Sequence, residues 1–65
     1  MNYRKLIKIV QAQTNTSMKD LAAHLNVRTA TIYARMDRNN PSYDELKELA
    51  DFAKVDVDQL IKWGE

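Results

Sequence analysis

Three arginines fall within eleven residues, at Arg28, Arg35 and Arg38, with Thr29, Thr31 and Tyr33 among the residues between them. A guanidinium presents its N–H donors in a planar fork, so this stretch suits anionic oxygens and the paired acceptors of a planar ring edge. The surrounding charge is unevenly divided. The whole chain carries a net +1, but residues 1–38 sum to +5 and residues 39–65 to −4. Such asymmetry suggests one half facing a polyanion and another turned away from it; scattered solvated charges are the alternative.

Other kinds of chemistry have little to work with. Cysteine is absent, which excludes disulfides and thiolate metal sites. His24 is the only histidine, and only Asp20 lies at helical spacing from it, so no metal site is expected and His24 reads as solvent-facing. There is no glycine-rich phosphate loop, since Gly64 is the only glycine. The acids Asp44, Glu45, Glu48 and Asp51 spread around one polar helix side, which solvation explains. No catalytic residue, enzyme activity, cofactor or small-molecule ligand is implied. Met18, Met36 and Trp63 read as packing residues.

The elements that must position the arginines are helical throughout. Apolar residues recur at spacings of three and four, with no sustained alternation, and the only proline is Pro41. A first helix over about Tyr3–Gln13 carries Tyr3, Leu6, Ile7 and Val10 on one stripe. Ser17 caps a second, about Met18–Leu25, with Leu21, Ala22 and Leu25 inward and Asp20 at the third helical position. Asn26, tolerant of a left-handed backbone, marks a sharp turn plugged by Val27. A third helix, about Thr29–Asp37, buries Ile32 and Met36. Ser42 opens a fourth, about Tyr43–Lys54, and Ser42-x-x-Glu45 is a capping box worth about 1 kcal/mol. Its inward residues are Leu46, Leu49, Ala50 and Ala53. Asp56 caps a short fifth, about Val57–Lys62. Sixty-five residues form one domain, 1–65, with a small core and marginal stability. No apolar run approaches the roughly 20 residues of a membrane span, and no signal-peptide stretch is present, so a soluble intracellular protein is expected.

In one register, S-M-K-D-L-A-A-H-L-N-V-R-T-A-T-I-Y-A-R-M followed by N-P-S-Y-D-E-L-K-E-L-A-D-F-A-K-V-D-V-D-Q-L resembles the lambda-repressor-like helix-turn-helix family, the Cro and XRE group. The resemblance covers Ser17–Ile61. It implies an all-α, compact five-helix domain with the helix-turn-helix at about 18–37. Leu21-Ala22 takes the family's apolar-alanine pair, and Leu25, Val27 and Ile32 lock the two helices. Asn26 stands where glycine is usual, Met18 where glutamine is common, Arg28 where serine is usual and Lys54 where a glycine ends the fourth helix.

That resemblance implies double-stranded DNA as partner, with the third helix in the major groove. Its outward face then carries Ala30, Ala34 and Asp37, flanked by Thr31, Tyr33 and Arg38. Expected base contacts are Arg28, Thr29, Ala30, Tyr33, Ala34 and Asp37, with Arg28 the first choice for guanine. Expected phosphate contacts are Ser17, Lys19, Thr31, Arg35, Arg38, Asn39 and Asn40. Taken singly, Arg35 and Arg38 read as ordinary solvated charges rather than phosphate contacts, and Tyr33 could fold over the core edge. The implied function is a sequence-specific transcriptional regulator, read as a repressor, in the cytoplasm of a bacterial or phage-infected cell. A homodimer on DNA is expected through Val57, Leu60, Ile61 and Trp63; the alternative puts Leu60 and Ile61 in the monomer core. The competing function is a protein-interaction module on the same fold, which the acidic second half allows.

Overall fold

A computed structural model of the chain describes residues 1–39 and 41–65. Among the described residues there are five helices and no strand: α1 Tyr3–Thr14, α2 Met18–His24, α3 Thr29–Arg38, α4 Tyr43–Ala53 and α5 Val57–Trp63. Each agrees with its expected span to within a residue or so. The packing is organised around α1, which lies against α3, α4 and α5, while α2 packs on α3 and α4 on α5. Tyr3, Leu6, Ile7 and Val10 of α1 are wholly buried, as the stripe at spacings of three and four requires. They meet Leu21, Ala22 and Leu25 from α2 and its C-cap, Ile32 and Met36 from α3, and Leu46, Leu49 and Ala50 from α4.

The helices start where hydroxyl and carboxylate side chains take up orphan backbone donors. Ser17 Oγ accepts from Asp20 N at 3.1 Å, Ser42 Oγ from Glu45 N at 3.3 Å and Asp56 Oδ1 from Gln59 N at 2.8 Å. α1 has two such partners. Asn2 Oδ1 accepts from Lys5 N at 3.0 Å, and Asn39 Oδ1 reaches across from the end of α3 to accept from Tyr3 N at 2.7 Å.

The first four helices stop in the left-handed region, and they do so without glycine. Asn15, Asn26, Asn39 and Lys54 all have φ between 53° and 59°. Asparagine tolerates this conformation best among residues with a Cβ, and three of the four are asparagines. Lys54 has no such excuse, as its replacement of glycine foretells. The one glycine serves a different need. Gly64 is buried, and a Cβ there would lie 2.9 Å from Met1 Cγ. Around it the two chain ends are tied, with Asn2 N donating to the Gly64 carbonyl at 2.6 Å and Lys5 Nζ to the Glu65 carbonyl at 2.6 Å.

Two expectations need correction. The capping box at Ser42 is half formed: Glu45 N donates to Ser42, but the Glu45 side chain turns to two guanidinium groups of α3. A charge-assisted pair outcompetes the return bond to a neutral backbone N–H. Leu60, expected at a dimer surface, is wholly buried in the monomer. α5 is pinned between α1 and α4, and its central leucine fills the gap between them.

Candidate nucleic-acid interface

The turn between α2 and α3 sets the angle at which α3 is presented. Asn26 N donates to Ala23 O at 3.2 Å and Val27 N to Ala22 O at 3.0 Å. This is the paired bonding of a Schellman stop, which needs a left-handed residue at Asn26. Val27, one residue on, packs on the core and plugs the turn. Ala22 is nearly fully buried where α2 meets α3, so a larger side chain there would force the helices apart.

α3 then divides into a buried and an outward face. Ile32 and Met36 hold it to the core. Arg28, Ala30, Tyr33, Ala34, Asp37 and Arg38 are exposed, and Thr29 and Thr31 are half-buried at the edges. Tyr33 is 49% exposed and does not fold over the core edge. The two alanines leave a shallow face on which a base edge can approach closely.

The first turn of α3 has no side-chain cap. Arg28 occupies the N-cap position in an extended conformation, and its side chain forms no capping hydrogen bond. Thr31 N already donates to the Arg28 carbonyl at 3.0 Å, so the N–H groups of Thr29 and Ala30 are the ones left to donate, and the helix dipole adds partial positive charge there. An exposed guanidinium stands at the same point. Nearby on α2, Ser17 and Lys19 are both exposed. Ser17 Oγ accepts from Asp20 N, which leaves the hydroxyl proton able to donate to an anionic oxygen.

The last turns of α3 are arranged differently. Arg35, expected beside the outward face, is turned toward α4, where its Nε lies 3.3 Å from Glu45 Oε1. Arg38 Nη2 lies 3.5 Å from the same oxygen. Asp37 pairs with Arg4 of α1 at 3.1 Å, an exposed pair worth about 0–1 kcal/mol that offsets the acid's charge on this face. Asn39 uses Oδ1 on Tyr3 N, so its amide nitrogen alone is left to donate outward. Asn40, the remaining expected phosphate contact, lies outside the described residues.

Behind this cluster Tyr3 Oη and Glu45 Oε2 are buried without a hydrogen-bond partner among the described residues. Burial first, and the Glu45 carboxylate second, push the Tyr3 phenol from its ordinary pKa of 10.0 up to about 12. Tyr3 therefore stays neutral over any physiological pH.

Three features carried no sequence signal that was used. Phe52 packs against the core and takes the His24 ring at 4.7 Å between centroids, tilted by 43°. His24 is thus exposed but lies against an aromatic neighbour. The Glu45 link between α3 and α4 and the Asn39 link between α3 and α1 are likewise new. Ile61 is 41% exposed, while Val57 and Trp63 are partly buried against the core, so α5 retains a smaller apolar edge than expected. No described helix is long and apolar enough to cross a membrane. Among the described residues no cluster of three histidine, aspartate or glutamate side chains is placed to hold a metal ion.

Compared with known families, residues 5–62 match the helix-turn-helix domain of bacteriophage CI repressors. No curated protein and no solved structure matches the chain at a significant level.

Proposed function

Because the chain belongs to the bacteriophage CI repressor helix-turn-helix domain family, a family of non-enzymatic DNA-binding regulators, we propose that it is a sequence-specific repressor of transcription that reads the major groove with α3. The observation that supports this most directly is the first turn of α3. It combines an uncapped helix start, an exposed arginine at the N-cap and a shallow face of Ala30 and Ala34.

In this proposal Arg28 donates in a fork to guanine O6 and N7, a contact worth about 1–3 kcal/mol of discrimination. Thr29, Ala30, Tyr33 and Ala34 meet the neighbouring base edges, the alanine methyls packing on thymine methyls. Asp37 accepts from a cytosine amino group only where Arg4 releases it. Ser17, Lys19, Thr31, Arg38, Asn39 and Asn40 contact phosphates, Ser17 together with the N-terminus of α2 that it caps. Arg35 serves mainly to hold α3 on α4, since its side chain is only 16% exposed.

The protein reads its site as a two-fold pair, with half-sites about one helical turn apart. The surface for that pairing is the α5 edge formed by Ile61 with the exposed parts of Val57 and Trp63, without Leu60. Sedimentation at micromolar concentration with and without duplex tests the pairing. A monomer in both conditions, unchanged by Ile61→Ala, removes it.

A salt titration on mixed-sequence duplex tests DNA binding itself. Log K should fall against log[salt] with a slope of several units, about 0.9 for each phosphate neutralised. Salt-independent binding, or none at 50 mM salt, would place the fold among protein-interaction modules instead.

A further inference from the structure

Glu45 is the one acid of α4 that is largely buried: its side chain is 14% exposed, whereas Asp44, Glu48 and Asp51 lie in solvent. One of its oxygens serves two arginines of α3 at once, Arg35 at 3.3 Å and Arg38 at 3.5 Å. The other oxygen has no partner among the described residues. The two arginines are not equivalent. Arg35 is 16% exposed and lies between Glu45 of α4 and the Tyr3 phenol of α1, whereas Arg38 is 60% exposed and pairs at the longer distance.

That difference matters because the two pairs respond differently to a competing anion. A pair taken out of water is costly to break, since one charge is left buried and alone. An exposed pair in high dielectric contributes little and exchanges readily. If Arg38 leaves, Glu45 still has Arg35 as counter-charge. Arg38 can therefore pass from a carboxylate to a phosphate without stranding the acid, while Arg35 cannot.

The other charged pair at this end of α3 is Asp37 with Arg4, and the Tyr3 phenol beside the cluster is neutral. Arg4, Arg35 and Arg38 against Asp37 and Glu45 give a local charge of only +1, at the end of the helix that meets DNA. Removing Glu45 alone would double it.

We propose that Glu45 is a positioning residue that sets DNA specificity: it acts as an internal competitor for phosphate, holding Arg38 against α4 so that sequence-independent attraction at the last turn of α3 stays weak. This rests on the DNA-binding proposal above and adds a role for an α4 residue that touches no DNA. A protein whose backbone attraction is restrained depends more on the base contacts at the first turn, because mixed-sequence duplex gains little from Arg38 until the site is otherwise well matched.

The test is a set of salt titrations on the full chain, using one mixed-sequence duplex and one duplex recovered by selection. In Glu45→Gln the slope of log K against log[salt] should steepen by about one unit. Affinity for mixed-sequence duplex at 50 mM salt should rise several-fold, and the ratio of selected to mixed binding should fall. Arg38→Ala should leave the slope on mixed-sequence duplex almost unchanged and flatten it by about one unit on the selected duplex, and the double variant should match Arg38→Ala alone on both. A merely structural role for Glu45 would lower the melting temperature and the active fraction while leaving the slope unchanged.

If Glu45→Gln does not fold, the wild-type protein still decides. On titration with the selected duplex the Arg38 Nε–H resonance and the Glu45 carboxyl carbon should shift together, and with mixed-sequence duplex both should move much less. An unaltered slope of Glu45→Gln on mixed-sequence duplex, an unaltered slope of Arg38→Ala on the selected duplex, additive effects in the double variant, or an Arg38 resonance that ignores the selected duplex overturns the proposal. Failure of the wild type to bind any duplex is a different result, and it removes the DNA-binding proposal instead.

Discussion

At its first turn α3 presents Arg28, Thr29 and Ala30 with no side chain capping the backbone, whereas at its last turns Arg35, Asp37 and Asn39 each bond another helix. The helix is the same ten residues long in either description, and its buried pair, Ile32 and Met36, sits between the two ends. What differs is where the polar groups find partners. The far end is fastened to α1 by two contacts and to α4 by two more, so the helix is held at a defined angle. At the near end the N–H groups of Thr29 and Ala30 have no side-chain cap among the described residues. A recognition element needs both properties, because a base contact discriminates only if its donor is held in position before binding.

Arg35→Ala breaks the fastened end most severely. It leaves Glu45 largely buried with only the distant, exposed Arg38 beside it. Loss of one partner from a fully buried pair costs about 3–5 kcal/mol, and the survival of Arg38 should reduce this to about 2–3 kcal/mol. For a domain of this length that lowers the melting temperature by roughly 10–20 °C, which a thermal melt followed by circular dichroism reads directly.

Arg28→Ala breaks the open end, and the outcome should be the converse. Its side chain is exposed and caps nothing, so the melting temperature should hold to within a degree or two. Discrimination at one base pair should fall by about 1–3 kcal/mol, measured as the ratio of affinities for the selected site and a single mismatch.

Asn39→Gly sharpens the comparison, because glycine keeps the left-handed backbone while deleting the amide that caps α1. The loss should be about 1 kcal/mol of stability, with the α1 end fraying first in hydrogen exchange at Tyr3 N–H. Asn39→Ala should cost more, since a Cβ is then forced into φ near 53°.

Tyr3→Phe gives the smallest effect at neutral pH. The phenol oxygen is buried without a partner, so its removal should be neutral or slightly stabilising. Alkaline pH separates the two proteins. The folded pKa of about 12 lies above the unfolded value of 10.0, so the wild type keeps this contribution below pH 10 and loses it as pH rises toward 12. Urea midpoints measured from pH 9 to 12 should fall more steeply for wild type than for Tyr3→Phe.

The turn that leads into α3 was legible in the sequence, and the fastened end of the helix was not. Ser17, Asn26, Val27 and the Leu21-Ala22 pair act within a few residues of themselves, through caps, a left-handed stop and helical spacing. Local rules of that kind leave a periodic trace. Asn39 on Tyr3, Arg4 on Asp37 and Glu45 on Arg35 join residues that are distant in sequence or held on different helices. Each of those side chains is equally consistent with a solvated surface until the helices are packed. Glu45 is the clearest case. Its position three residues after Ser42 satisfies the capping-box pattern, yet two guanidinium groups nearby take the carboxylate away from that bond. Leu60 misled for a related reason, because a seven-residue terminal helix reads as having spare apolar surface until α1 and α4 enclose it.

The most direct test is selection of bound sites from random duplex DNA, run in parallel with the wild-type protein and Arg28→Ala. The wild type should enrich a two-fold site with half-sites about one helical turn apart and a fixed guanine in each. Arg28→Ala should enrich the same spacing with that one position relaxed. No enrichment at low salt, or an identical site from both proteins, would contradict a recognition helix that reads DNA from its open first turn.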